Sequence, residues 1–132
     1  MRVEGWPEVM NATIDEWRGR TLVYGVADCF QFCAAMALAI TEHDHRVSFP
    51  AYASKQEADA IIASFGSCRL LLTSVLGEDK PPAFAQRGDI VLMSMDDDID
   101  APGICVGAHA FVMGLRGLVA QPMRSAVAAW TV

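Results

Sequence analysis

Between Asp28 and Thr41 the chain carries a run that no surface element can accommodate. From Cys29 through Phe30, Phe32, Cys33, Ala34, Ala35, Met36, Ala37, Leu38 and Ala39 to Ile40, Gln31 is the lone polar side chain. The run is long enough for a helix, and a helix that is apolar nearly all round has to be buried on most faces. Asp28, directly before it, is a good N-cap. The run therefore predicts a helix that opens at Cys29 and stands at the centre of the fold. It gives way to Thr41-Glu42-His43-Asp44-His45-Arg46, which reads as a solvated loop.

Three further helices are predicted around it. Pro7 suits the first helical position, and Met10, Ile14 and Trp17 recur at helical spacing before Gly19 ends the segment. Ser54 with Glu57 three residues later forms a capping-box pattern. It opens a helix through Ala58, Ile61, Ile62 and Phe65, closed by Gly66. Ser67 then caps a short helix carrying Leu70, Leu71, Leu72, Val75 and Leu76, ended by Gly77. Residues 78–84 hold Pro81 and Pro82 and read as a loop.

Beyond this loop the pattern changes. Residues 89–93 read as a buried strand. Residues 103–106 and 110–113 read as a hairpin turning near Gly107 and Ala108, and residues 117–120 and 129–132 as two more strands. Helices first and strands second predict an α+β fold, with N-terminal helices packed on a C-terminal antiparallel β-sheet.

Composition narrows the function classes. The chain has 132 residues, a net charge of −6 and no Lys/Arg cluster, which argues against nucleic acid. Its hydrophobic fraction of 53% implies either a large core or apolar surface that meets a partner. No apolar run approaches the ~20 residues of a membrane span, and residues 1–8 lack the basic-then-apolar pattern of a secretory signal. The four cysteines, Cys29, Cys33, Cys68 and Cys105, form no C-x-x-C pair. Reduced, buried thiols are the expectation.

Cys29 carries the chemistry worth testing. At a helix N-terminus, unpaired N–H groups and the helix dipole favour a thiolate, and hence a nucleophile. The alternative is a buried and inert cysteine, the commoner state of this residue. Cys29 and Cys33 lie one turn apart on one helix face, but a metal site needs two more ligands from distant segments, and no metal or cofactor is expected. The run Asp96-Asp97-Asp98-Ile99-Asp100 lacks the glycine and glutamate of a calcium-binding EF-hand loop. It reads as a solvated acidic loop. Trp6, Trp17 and Trp130 read as core or interface anchors.

Three blocks together resemble NlpC-type cysteine peptidases, small papain-like enzymes that cut cell-wall peptides. Tyr24-Gly25-Val26-Ala27-Asp28-Cys29-Phe30-Gln31-Phe32 is similar to their nucleophile segment. Gln86-Arg87-Gly88-Asp89-Ile90-Val91 is similar to the block that opens their first core strand, and Gly103-Ile104-Cys105-Val106-Gly107 to their second strand. More narrowly, the chain resembles the small NlpC-like proteins of phage and prophage tail gene clusters, over roughly residues 20–132. Its ending, Gly117-Leu118-Val119 and then Ala129-Trp130-Thr131-Val132, fits that group too. The resemblance implies a papain-like NlpC-type fold in one domain over residues 1–132, with Cys29 at the nucleophile position and Asp28 supporting it. It also implies a protein made in the host cytoplasm without a signal peptide and carried in the virion. Its partners there would be other tail proteins of the hub or tip.

The resemblance breaks at the base. In the family, a histidine two residues before the glycine of the second strand block takes the thiol proton and later protonates the leaving amine. Here that glycine is Gly103 and the position holds Ala101. His43 is expected about 20 Å from Cys29 along the central helix, with His45 beyond it. His109 is expected about 16 Å along the strands from the level of Ala101. Gln121 is the one polar candidate for the third member of a triad. Without its base such a site forfeits roughly 10²–10⁴-fold of rate. The expectation is a pseudoenzyme serving as a structural or assembly component of a phage-like tail, near the tip. The rival is an active cysteine peptidase or amidase that cuts peptidoglycan stem peptides during genome delivery.

Overall fold

Asp28 caps the central helix as its position predicts. Its backbone is extended, its carboxylate accepts from Gln31 N, and helix α2 runs from Cys29 to Thr41. Glu42 ends it in a left-handed conformation (φ 65°), its N–H returning to Leu38 O. The computed structural model describes residues 1–96 and 99–132. Asp97 and Asp98 of the acidic run lie outside the described residues.

Helix α1 spans Trp6–Trp17, with Pro7 in its first turn and Met10, Thr13, Ile14 and Trp17 buried. It starts one residue before Pro7 and ends two before Gly19, because Gly5, in a left-handed conformation, turns the chain at the start. Helix α3 spans Lys55–Phe65 and α4 spans Cys68–Leu76. The predicted caps hold: Ser54 Oγ accepts from Glu57 N at 3.1 Å, Glu57 Oε2 accepts from Ala53 N at 3.0 Å, and Ser67 Oγ accepts from Leu70 N at 3.1 Å. Residues 43–48 differ from expectation. Asp44 accepts from Arg46 N at 3.0 Å and caps a 3-10 turn over His45–Ser48, which folds back onto α2. Among the described residues no single helix is long and apolar enough to cross a membrane.

The strands are β1 (Ile90–Ser94), β2 (Asp100–Cys105), β3 (His109–Gly114), β4 (Gly117–Pro122) and β5 (Ala126–Trp130). They form one antiparallel sheet in the order β4-β3-β2-β1-β5. The fold is thus α+β, with four N-terminal helices packed against a C-terminal five-stranded sheet.

Strand alternation sends side chains to both faces. Ile90, Leu92, Ile104, Met113, Ala128 and Trp130 face the helices and join Met10, Ile14, Trp17, Phe32, Met36 and Leu71 in the main core. Val91, Met93, Cys105, Ala110, Val112 and Ala129 face the other way, yet each is at most 1% exposed. Ala85, Met95, Met123 and Ala126 pack against them. An antiparallel sheet commonly leaves one face to water; here both are buried, which accounts for much of the apolar excess. Of the tryptophans, Trp17 and Trp130 are core, while Trp6 is half-buried beneath the Arg2 guanidinium at 4.2 Å.

Candidate functional site

The loop before α2 is organised by Asp28, which is only 4% exposed. Its Oδ1 accepts from Gln31 N at 2.9 Å, and its Oδ2 accepts from Gly25 N at 2.8 Å and from Tyr52 Oη at 2.7 Å. Gly25 sits at φ 82° with Tyr52 O so close that a Cβ would lie 1.9 Å from it. Glycine is therefore required there, both for the left-handed backbone and for the close approach. Burial pushes the Tyr52 phenol well above its ordinary value, and the bond to Asp28 adds to the rise.

Cys29 follows directly. Its Sγ donates to Met113 O at 3.8 Å, a long and weak bond. The sheet explains why that carbonyl is available. β2 and β3 pair Ile104 with Phe111 and Cys105 with Ala110, and Val106 N donates to His109 O. Carried two residues further, this register sets Pro102 opposite Met113 in the next hydrogen-bonded position. Proline has no N–H to give, so the ladder leaves the Met113 carbonyl to the thiol.

Helix position predicts a lowered thiol pKa; the structure gives the reverse. Burial pushes the Cys29 thiol up to about 11, and the negative charge of Asp28 adds to the rise. Burial is the main cause, and the helix cap contributes. Asp28 already takes the N–H of Gln31 with its carboxylate and that of Phe32 with its carbonyl, at 2.9 Å each. The cap thus takes part of the positive end of the helix, and what the Cys29 N–H still offers the sulfur is outweighed by burial. Cys33 and Cys68 share the core with Cys29, and burial raises both, Cys68 to about 12. All four cysteines are free thiols.

No imidazole serves this sulfur among the described residues, where Met113 O is its hydrogen-bond partner. His109 lies on the same strand as Met113 but four positions away, about 13 Å along β3. His43 and His45, in the segment that follows α2, pack edge to face at 4.4 Å. The folded-back turn brings His45 beside Phe30, Gln31 and Cys33 in an apolar cavity under α2, which Cys29 does not line. Burial there lowers the pKa of His45, with the charge of His43 in the same direction.

Ala101, the position of the expected base, pairs with Met93. That puts its side chain on the sheet face away from the helices, and Pro102 on the face toward them. Neither residue can move a proton. Gln121 stands on β4 opposite Ala110, whose side chain belongs to the far core, so it too is remote from the thiol. Among the described residues, no group of three or more His, Cys, Asp and Glu side chains is placed to hold a metal ion. Sequence reasoning found Asp28 and Cys29 and expected Cys68 as a buried thiol, but missed Tyr52 and the part played by Pro102. Tyr52 lies in a segment with no periodic signal, and the part Pro102 plays depends on register.

Compared with known families, the chain matches, over residues 1–132, the one described as a domain of unknown function, DUF6950. None of the curated proteins searched matches it.

Proposed function

This chain belongs to the DUF6950 family, and we propose that it is a catalytically silent domain of NlpC-like, papain-like descent that serves as a structural or assembly component of a phage-like tail, near the tip. The observation that carries the silence is the state of Cys29. A thiol with a pKa of about 11, donated to a backbone carbonyl, is overwhelmingly protonated at neutral pH. Cleaving an amide needs a thiolate to attack and an acid to protonate the leaving nitrogen. Among the described residues Cys29 Sγ is hydrogen-bonded to neither a base that would form the first nor an acid that would supply the second.

The tail assignment rests on the resemblance of residues 20–132 to small tail-cluster proteins. The surface at the Cys29 end is consistent with it. Leu22 N donates to Leu115 O at 3.0 Å, which joins the loop before α2 to the β3–β4 turn. Val23, Val26 and Leu115 are 50%, 68% and 75% exposed on these two segments. Apolar side chains held in water on ordered loops fit a surface that meets a neighbouring protein.

The test is digestion of purified peptidoglycan, read by mass spectrometry, with wild type beside Cys29→Ser and an active NlpC-type enzyme as control. The expected result is no new stem-peptide fragments from wild type while the control cuts. Fragments that vanish in Cys29→Ser would establish the peptidase and overturn this reading.

A further inference from the structure

Seven of the ten basic side chains pair with a carboxylate. Arg87, Arg116 and Arg124 have no such partner among the described residues. Arg87 is the one of these three that lines a cleft between α1 and the sheet, with a volume of about 430 Å³. That volume falls within the usual range of small-ligand sites, about 300–1,000 Å³.

The cleft is lined mainly by polar groups over a narrow apolar strip. Met10 and Ile14 of α1 are 0% and 4% exposed, and the Phe111 ring lies beside them on β3. The rim is polar. Asn11 and Asp15 of α1 and Arg18 directly after it line one side, and Arg87 lines the cleft from the loop before β1. The Arg18 guanidinium lies 5.4 Å from the centre of the Phe111 ring and bonds Asp15 at 3.1 Å, so Asp15 cancels its charge. Arg87 then gives the cleft a net charge of about +1 on a chain of net charge −6. The side-chain amide of Asn11 makes no hydrogen bond within the described residues. Arg2 Nη1 donates to Arg87 O at 2.6 Å and fixes the backbone from which the Arg87 side chain extends.

The geometry points to a binding site for a carboxylate carried on an apolar or aromatic body, either a free organic acid or the last residue of a peptide. The guanidinium of Arg87 offers a fork that matches a carboxylate. The Asn11 amide offers a further donor, and the half-buried Phe111 ring offers the surface for the apolar part. Cys29 does not line this cleft, so the site stands or falls independently of whether that thiol is silent.

The experiment is a nuclear magnetic resonance titration of the 15N-labelled chain with N-acetylphenylalanine, its carboxamide, and a tripeptide ending in phenylalanine. The free acid is expected to shift the amides of α1 and β3 and to bind roughly tenfold more tightly than the carboxamide, the scale of one charge-assisted contact. Arg87→Gln is expected to abolish that difference, and Arg116→Gln, also exposed but off the cleft, to preserve it. Tighter binding of the tripeptide assigns the site to a chain end, and equal binding assigns it to a free acid. Equal binding of acid and carboxamide, no shifts with either, or a preference that survives Arg87→Gln overturns the proposal. The spectrum of each variant reports directly whether it has folded.

Discussion

Replacing Asp89 with alanine is expected to cost about 3–5 kcal/mol, the scale for stranding one partner of a buried ion pair. Asp89 is 1% exposed and its carboxylate is fully used. Oδ1 accepts from Arg2 Nη2 at 3.0 Å and Val132 N at 3.2 Å; Oδ2 accepts from Lys80 Nζ at 2.7 Å and Gln86 N at 2.8 Å. Those donors come from both ends of the chain and from the loop before β1, so one side chain ties three remote segments together. Its loss leaves two cations, 15% and 24% exposed, facing each other without an anion. Asp89→Asn is expected to be nearly as damaging. Both oxygens face donors only, so the amide nitrogen of asparagine meets an N–H in either orientation. Set against a usual total stability of about 5–15 kcal/mol, either change moves the urea midpoint far down, and the measurement is equilibrium urea unfolding followed by tryptophan fluorescence. A midpoint within error of wild type for Asp89→Ala would show that the cluster does not hold the fold.

Alkali is expected to unfold the domain well before it attacks the backbone, and three thiols set the reason, Cys33 and Cys68 in the core and Cys29 half-buried at its edge. Cys29, Cys33 and Cys68 are neutral in the folded chain, where burial holds them above the ordinary value of 9.0. In the unfolded chain they ionise near that value. The folded state therefore binds more protons than the unfolded one above pH 9, and stability falls as pH rises. Their contribution is complete below pH 9 and is lost progressively toward the folded values, about 11 for Cys29 and about 12 for Cys68. Each thiol contributes about 1.4 kcal/mol per pH unit in that window, so the three together remove about 4 kcal/mol per unit. Tyr52, pushed up by burial, adds the same sign above its ordinary value of 10.0. Urea midpoints taken from pH 7 to pH 10.5 should be flat to about pH 9 and then drop steeply. The double variant Cys33→Ala with Cys68→Ala should lose roughly two-thirds of that slope, whatever its starting stability. A slope unchanged in the double variant would place the alkaline transition elsewhere.

Much of this architecture is legible in the chain because its signals are local. Asp28, Ser54 and Ser67 each cap the helix they precede, since a short acceptor before an apolar run has one good use. The strands are found from their apolar blocks, although β2 begins at Asp100 rather than residue 103, and β5 runs over Ala126–Trp130 rather than 129–132. Polar and small residues at strand ends carry no periodic signal, so pairing partners decide those boundaries. The turn at His45–Ser48 was hidden for a related reason. Its polar sequence reads as solvated, and only tertiary contact lays His45 and Arg46 against α2.

The site divides in the same way. The position of Cys29 at a helix start is local and readable. Its protonation state is not, because that depends on burial by distant segments and, in smaller part, on Asp28 capping the helix. Pro102 matters only through its place opposite Met113, and Asp89 reads as the first residue of a strand block rather than as the clamp of both termini. The face that Ala101 occupies likewise follows from register with Met93 and from nothing in its neighbours.

The account turns on Cys29 being a neutral thiol by construction. The direct measurement is its alkylation rate by iodoacetamide from pH 6 to pH 9, read at the Cys29 peptide by mass spectrometry, in the folded chain and in urea. With a thiol near pKa 11, the folded rate should climb about tenfold per pH unit without a plateau and stay roughly 100-fold below the unfolded rate at pH 8. A plateau below pH 8, with labelling faster in the folded chain than in urea, would reveal a stabilised thiolate and contradict the silence of the site.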